Sequence, residues 1–183
     1  MELKVWVKTF FSIFRWLERL TKAIDDYVLI RGTSCYYKNL SSITLCSTTK
    51  VVNDITGLMN KKINLINIKI LIEKMLQNLS SDHARFVVAK YVDNHTFEET
   101  AQILEVSTRT ALRWNLVVLE KCGKYLKSLG YTDAKLKDLI GHEKWVLAVA
   151  KKLKQEDMIK HTKKLSYFAI LHEAEKEYKS FMI

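Results

Sequence analysis

The sequence predicts an all-α fold, a helical bundle, and three observations support this prediction. None of the 183 residues is proline, the residue that interrupts helices most strongly. Apolar residues recur at steps of three and four over long stretches, which is the spacing of one helical face. The composition is 48% apolar, which is enough for one good core in a chain of this length.

The charge of the chain favours a polyanionic partner. The formal net charge is +10 and the isoelectric point is near 9.4, which suits DNA, RNA or an anionic membrane surface. Lysine-rich faces in contact with solvent would produce the same charge. The charge therefore has to be combined with a local motif before it indicates a function.

Residues 1–79 are predicted to form an N-terminal helical region that begins with an amphipathic helix. Charged residues interrupt its apolar run, which does not approach the roughly 20 residues of a membrane span. We expect this helix to pack on the rest of the chain or on a second copy, and membrane binding is the less favoured alternative. Its apolar face consists of Leu3, Trp6, Phe10, Ile13, Leu17 and Leu20.

A polar stretch and a second long helix complete this region. Gly32 and a cluster of Ser, Thr and Asn predict that residues 31–50 form a loop with at most a short regular piece. From Val51 to Leu79 a seven-residue apolar repeat predicts a long helix, with Gly57 as a possible interruption. Packing against the N-terminal helix and pairing with a second copy in a homodimer both remain open. The repeat consists of Val51, Leu58, Leu65, Ile72 and Leu79.

Residues 80–130 predict three helices joined by two tight turns. Ser80 or Ser81 can cap the first helix, and Asn94 suits its end because asparagine tolerates the left-handed conformation. Thr96 and Glu99 have the spacing of a capping box at the start of the second helix. Glu105 and Val106 then form a joint, and Ser107 caps the third helix.

The third helix has an outward face rich in groups that bind nucleic acid. Thr110, Ala111 and Trp114 are predicted to point inward, which leaves the cationic side chains outward near the helix N-terminus, where phosphate is favoured. Arginines can read guanine, Thr108 and Asn115 can reach phosphates or base edges, and Lys121 suits the DNA backbone. The predicted DNA-binding set is Ser107, Thr108, Arg109, Leu112, Arg113, Asn115 and Lys121.

The order of these residues resembles a known DNA-binding module. The run Y-x-D-x-x-T-x-E-E-x-A-x-x-L-x-V-S-x-R-T-A-x-R, from Tyr91 to Arg113, is similar to the helix-turn-helix of sigma factor region four and of sigma-like phage and Firmicute regulators. The resemblance implies that the helix after Thr96 supports the helix after Ser107, which enters the major groove. Two positions depart from that pattern: Glu105 replaces a frequent glycine, and Thr100 replaces a branched apolar residue.

The expected function is that of a sequence-specific transcription regulator that binds double-stranded DNA. A divergent sigma factor that recruits core RNA polymerase is an alternative, although residues 1–75 contain no recognisable region-two module. An alternative of another class is a helical interaction or adaptor protein that does not bind DNA, in which the corner at residues 96–114 is only structural.

Residues 131–183 are predicted to form a C-terminal basic helical region. Thr132 can cap a short helix that contains Leu136, and Trp145, Val149 and Leu153 indicate a further one. More helix is indicated by Leu165, Phe168, Ala169 and Leu171. A lysine cluster could extend a DNA footprint or simply face solvent. It comprises Lys151, Lys152, Lys154, Lys160, Lys163 and Lys164.

The remaining chemistry predicts no enzyme, metal or cofactor. Cys35, Cys46 and Cys122 are odd in number and form no C-x-x-C pair, which favours a cytoplasmic protein in a reducing compartment. The five histidines are scattered without ligand spacing, and no nucleophile lies in a recognisable catalytic motif.

Overall fold

The computed structural model describes residues 3–41, 48–140, 143–156 and 168–180, and every regular element in these ranges is helical. The all-α prediction is confirmed. No helix in this part of the chain is both long and apolar enough to cross a membrane. The helices are α1 (Leu3–Ser41), α2 (Thr48–Gln77), α3 (Ser81–Val87) with a π-helical turn (Val88–Val92), α4 (Phe97–Ile103), α5 (Thr108–Ser128), α6 (Asp133–Ile140), α7 (Lys144–Glu156) and α8 (Phe168–Ser180).

The N-terminal half of α1 lies at the centre of the fold. Its apolar side chains are buried over a wide face, whereas Lys4, Arg15, Glu18 and Arg19 form a narrow exposed strip, as expected for an amphipathic helix that packs against several partners. It packs against α2, the π-helical turn, α5, α7 and α8. The prediction that this helix packs on the rest of the chain is therefore confirmed. The fully buried side chains here include Trp6, Val7, Phe10, Phe11, Ile13 and Leu17.

The second half of α1 forms an antiparallel pair with α2. Lys62 donates a hydrogen bond to Asp25, and Arg31 forms an ion pair with Asp54 at 4.0 Å, so the residue numbers rise along one helix as they fall along the other. The predicted loop is wrong for residues 31–41, which continue α1, and for residues 48–50, which begin α2. The Thr33 hydroxyl is used inside the helix, where it donates to the Leu29 carbonyl. Residues 42–47 lie outside the described residues.

The predicted seven-residue repeat forms the inner face of α2. Val51, Leu58, Leu65 and Ile72 are buried, and the helix runs through Gly57 without a break. The helix ends at Gln77, so the fifth member, Leu79, lies beyond it and packs partly buried against the core. The sequence left two partners open for this face, the N-terminal helix and a second copy of the chain. In the structure α1 of the same chain packs against it.

The C-terminal helices close the core around α1. The Lys135 amide donates to the Thr132 hydroxyl at 3.3 Å, so the predicted cap is present. The Trp6 indole donates to Asp133 at 2.8 Å and ties α1 to α6. Trp145, Val149, Leu153 and Leu171 are buried as predicted. The side chains of Phe168 and Ala169 are not described, and Leu165, Lys160, Lys163 and Lys164 lie outside the described residues.

The three predicted regions share one hydrophobic core. Their boundaries, at residues 79/80 and 130/131, fall between α2 and α3 and between α5 and α6. Side chains from all three regions belong to a single buried cluster. The regions are consequently segments of one packed unit rather than units with separate cores.

Candidate nucleic-acid interface

A capping box fixes the start of α4. The Glu99 amide donates to the Thr96 hydroxyl at 3.1 Å, and the Thr96 amide donates to the Glu99 carboxylate at 2.8 Å. The predicted capping box is therefore confirmed. Thr100, which departs from the apolar pattern, is fully buried and donates its hydroxyl proton to the Thr96 carbonyl at 2.7 Å. Its polar group is thus satisfied within its own helix.

The joint between α4 and α5 is a Schellman motif with Glu105 at its left-handed position. The Val106 amide donates to the Ala101 carbonyl at 2.9 Å, and the Glu105 amide donates to the Gln102 carbonyl at 3.2 Å. These are the two hydrogen bonds that define the motif. Glu105 has a φ of +55°, in the region where glycine is preferred. The backbone therefore makes the sharp turn, and the exposed Glu105 side chain lies outside the core.

Ser107 caps α5 and leaves other donors at its N-terminus. The Thr110 amide donates to the Ser107 hydroxyl at 3.1 Å, and the Ala111 amide donates to the Ser107 carbonyl at 3.0 Å. The amides of Thr108 and Arg109, in the first turn, have no acceptor within the helix. Ser107 therefore acts through its cap, and the two amides are available to an anion.

The predicted reading face is exposed at this end of α5. Arg109 and Arg113 are exposed one helical turn apart, and Thr108 and Leu112 are partly exposed beside them. Leu116, which the sequence analysis did not single out, continues the same face and is 64% exposed. Its spacing of three from Arg113 is the signal that would have placed it there.

Asn115 is a correction to the predicted contact set. Its side chain is only 6% exposed, and its carbonyl oxygen accepts a hydrogen bond from the Tyr91 hydroxyl at 2.6 Å. The expectation that Asn115 lies on the outward rim is wrong because this hydrogen bond holds it between α5 and the π-helical turn. Asn115 therefore links α5 to the π-helical turn, and we remove it from the predicted DNA-binding residues.

Aromatic packing anchors the inward face of α5. The Trp114 ring lies edge-on to Phe86 of α3, with ring centroids 6.4 Å apart, and edge-on to His83 at 5.6 Å. The pKa of His83 is lowered because the ring is partly desolvated and because Lys121 is near, while Asp82 opposes the shift. Lys121 itself is exposed and lies seven residues beyond Trp114 on α5, well past the first turn of that helix.

A buried lysine, which the sequence pattern does not predict, supports the turn before α4. Lys90 is 3% exposed; its ammonium donates to the His95 carbonyl at 2.7 Å and lies 4.4 Å from the centroid of the Phe97 ring. It lies in the π-helical turn, whose wider spacing turns it inward. An isolated lysine in a helical pattern carries no signal of such burial, because lysine normally faces solvent.

The charge on the outer side of α5 is partly compensated. Lys124 forms an ion pair with Glu120 at 2.7 Å, and this contact lowers the pKa of Glu120. The exposed cations Arg109, Arg113, Lys121 and Lys127 remain along the same helix. On α4, Glu98 is exposed. The cationic surface thus follows α5 and the acidic surface begins on α4.

The described residues contain no group of three or more His, Cys, Asp or Glu side chains that could hold a metal ion. Comparison with known proteins found no matching family model, curated protein or solved structure.

Proposed function

We propose that this chain is a sequence-specific transcription regulator that binds double-stranded DNA through a helix-turn-helix like that of sigma factor region four. The observation that carries the proposal is the Schellman joint at Glu105. It turns the chain sharply between α4 and α5, while the first turn of α5 exposes Arg109 and Arg113. A recognition helix needs that combination, because its N-terminal residues meet the bases in the major groove.

The roles within the proposed interface follow from side-chain chemistry. Arg109 and Arg113 can each make paired hydrogen bonds to a guanine, and Leu112 can contact a thymine methyl group. Thr108 and the free amides of the first turn suit a phosphate oxygen. Lys121 lies two to three turns further along α5, so it suits the DNA backbone rather than a base.

The test is binding to a duplex that the wild-type chain selects from a random-sequence pool. We expect Arg109→Ala with Arg113→Ala to weaken binding by roughly 30-fold or more, because two guanine contacts are lost. The slope of log K against log salt should change little in this variant, because both arginines are assigned to bases, whereas Lys121→Ala, which removes a backbone contact, should make the slope shallower by about 0.9. Fluorescence anisotropy across a salt series measures both quantities.

A charge-matched control distinguishes the loss of base recognition from the loss of net positive charge. Lys22→Ala with Lys144→Ala removes the same charge from exposed positions on α1 and α7, and it should leave affinity within about twofold at 150 mM salt. Failure of the wild-type chain to enrich any duplex, or equal losses in the two double variants, would overturn the proposal and favour an adaptor protein. Promoter-dependent transcription with core RNA polymerase alone would instead favour a sigma factor.

A further inference from the structure

A second apolar stripe runs along α2 on the face turned away from α1. Its side chains are 37–54% exposed, whereas the inner repeat at Val51, Leu58, Leu65 and Ile72 is buried. Exposed large apolar side chains that join into one stripe mark an interaction site. The outer stripe consists of Val52, Met59, Ile63, Ile66 and Ile70.

The spacing of the outer stripe is that of a coiled-coil seam. The intervals of seven, four, three and four residues place Ile63 and Ile70 at one core position of a heptad, and Val52, Met59 and Ile66 at the other. At 1.5 Å per residue the stripe is about 27 Å long. A helix that packs along it needs the same seven-residue repeat, and α2 of a second copy has it.

We propose that α2 pairs through this outer stripe with α2 of a second copy of the chain. The row of side chains on the solvent side of the stripe is Asn53, Asn60 and Asn67, all exposed. Each amide group both donates and accepts hydrogen bonds, so asparagine rows are complementary to each other. On the side nearer α1, Lys62 is already paired with Asp25, which reduces repulsion between two basic chains.

The same flanking residues argue against a polyanion on this face. DNA or an anionic membrane would need rows of exposed cations beside the stripe. Along the stripe the exposed row carries neutral amides, and Lys74 follows only beyond its end. On the side nearer α1, Lys62 is paired with Asp25 and Lys69 is half-buried. The pairing itself does not depend on the proposed function. If the chain also binds DNA, the pair carries two recognition helices related by a two-fold axis, and its site is expected to contain two half-sites.

The first test is the molecular mass of the full chain without DNA, measured by sedimentation over a concentration series. We expect the mass to rise from 21.4 kDa to twice that value. Ile63→Gln with Ile66→Gln should weaken association at least tenfold, because two layers of the seam become polar. Both side chains are exposed, so the melting temperature of the single chain should not fall.

Ile103→Gln is the matched control, since Ile103 is an exposed isoleucine on α4 and should leave association unchanged. A wild-type chain that stays monomeric throughout the series overturns the pairing. Equal association by wild type and the Ile63/Ile66 variant also overturns it. Because DNA is absent, either failure leaves the DNA-binding proposal untouched.

Cross-linking provides a second readout. Ile63→Cys, in a chain with Cys35→Ser and Cys46→Ser, should form a covalent dimer with a short bis-maleimide reagent. Cys122 can stay, because burial raises the pKa of its thiol to about 12 and keeps it unreactive. Ile103→Cys in the same background should not cross-link, and equal cross-linking at both positions would contradict the proposed interface.

Discussion

Within the described ranges, three helix ends have a residue in the left-handed conformation, and each position holds a different amino acid. Asn94 has a φ of +61°, Glu105 of +55° and Gly130 of +75°. Gly130 and Glu105 occupy equivalent places, since the bonds from Tyr131 to Leu126 and from Gly130 to Lys127 repeat the Schellman pattern. Glycine adopts this conformation without a steric penalty, asparagine with a small one and glutamate with a larger one.

Glu105→Gly is expected to raise the free energy of unfolding by about 0.5–1 kcal/mol. Removal of the Cβ relieves roughly 1–2 kcal/mol of left-handed strain, and the greater freedom of glycine in the unfolded chain offsets part of that gain. Urea unfolding followed by circular dichroism measures the change. Gly130→Ala is the control, because it adds a Cβ at the equivalent left-handed position. It should lower the free energy of unfolding by about 1 kcal/mol. A destabilised Glu105→Gly variant would contradict this account of the joint.

The Tyr91–Asn115 hydrogen bond gives a second prediction for a single residue pair. Tyr91→Phe should lower the free energy of unfolding by about 1–2 kcal/mol, because the buried Asn115 oxygen loses its donor. Tyr125→Phe, at a partly exposed tyrosine on α5, should change it by less than about 0.5 kcal/mol. Equal effects of the two changes, measured by urea unfolding, would show that the bond contributes nothing specific.

Most residues whose roles depend on near neighbours in the chain were predictable. Ser80 is the exception: it stands at the N-cap of α3 as predicted, but its hydroxyl bonds the His83 ring and makes no cap hydrogen bond to a backbone amide. The capping box, the Ser107 cap and the left-handed Asn94 all depend on residues within four positions. The burial of Asn115 was not predictable, because its hydrogen-bond partner Tyr91 is 24 residues away. A polar side chain at this position of a helix is normally expected to be exposed. The burial of Lys90 was missed for a related reason, since the π-helical turn changes the angle at which side chains leave the helix.

At the scale of elements, α1 shows where propensity and packing disagree. Residues 31–41 have a loop-like composition, yet they continue a helix. Arg31, at the start of this stretch, pairs with Asp54 of α2. Beyond it, extending an established helix costs far less than starting one, so the weak preferences of Ser, Thr and Gly do not end it. The seven-residue repeat of α2 predicted that helix, but a repeat cannot tell which partner will cover it.

The contact between α1 and α6 is expected to depend on pH. Lys137 and the Trp6 indole both donate hydrogen bonds to Asp133 and hold its pKa well below the usual range. A depressed carboxyl pKa gives stability that is present at neutral pH and is lost as the pH falls through acidic values. The free energy of unfolding should therefore decrease between pH 5 and pH 2 less steeply in Asp133→Asn than in wild type. This comparison can be made by urea titration at each pH.

Asp138→Asn is the control for this experiment, because Asp138 is an exposed carboxylate on the same helix. It should retain the wild-type dependence on pH. If Asp133→Asn and wild type lost stability in parallel, the hydrogen bonds to Asp133 would not be the origin of the effect.

For the molecule as a whole, the candidate DNA-binding corner depends on helices outside it. The side of α5 formed by Val118, Leu119, Cys122 and Leu126 is buried, and α5 packs against α1 as well as against α3 and α4. The sequence predicted residues 80–130 as the segment that contains the helix-turn-helix, since that motif is local. The motif could not show that the buried side chains of this segment belong to one cluster with those of α1.

A fragment of residues 80–130 is therefore expected not to fold cooperatively. Without α1 the apolar side of α5 is exposed, and a unit of this size has little core to offset its conformational entropy. Circular dichroism should show no sigmoidal thermal transition for the fragment, whereas the full chain should show one. A cooperative transition in the fragment would establish that residues 80–130 are an independent domain.

The central position of α1 also has a consequence for synthesis of the protein. Trp6 reaches its partner Asp133 only after a further 127 residues, and the Trp16 ring contacts His172 of α8 at 4.9 Å. The most aromatic helix of the chain thus leaves the ribosome long before the helices that enclose it. Until they arrive, Phe10, Phe11 and Trp16 are open to other apolar surfaces. This nascent chain is therefore expected to be a substrate for chaperones.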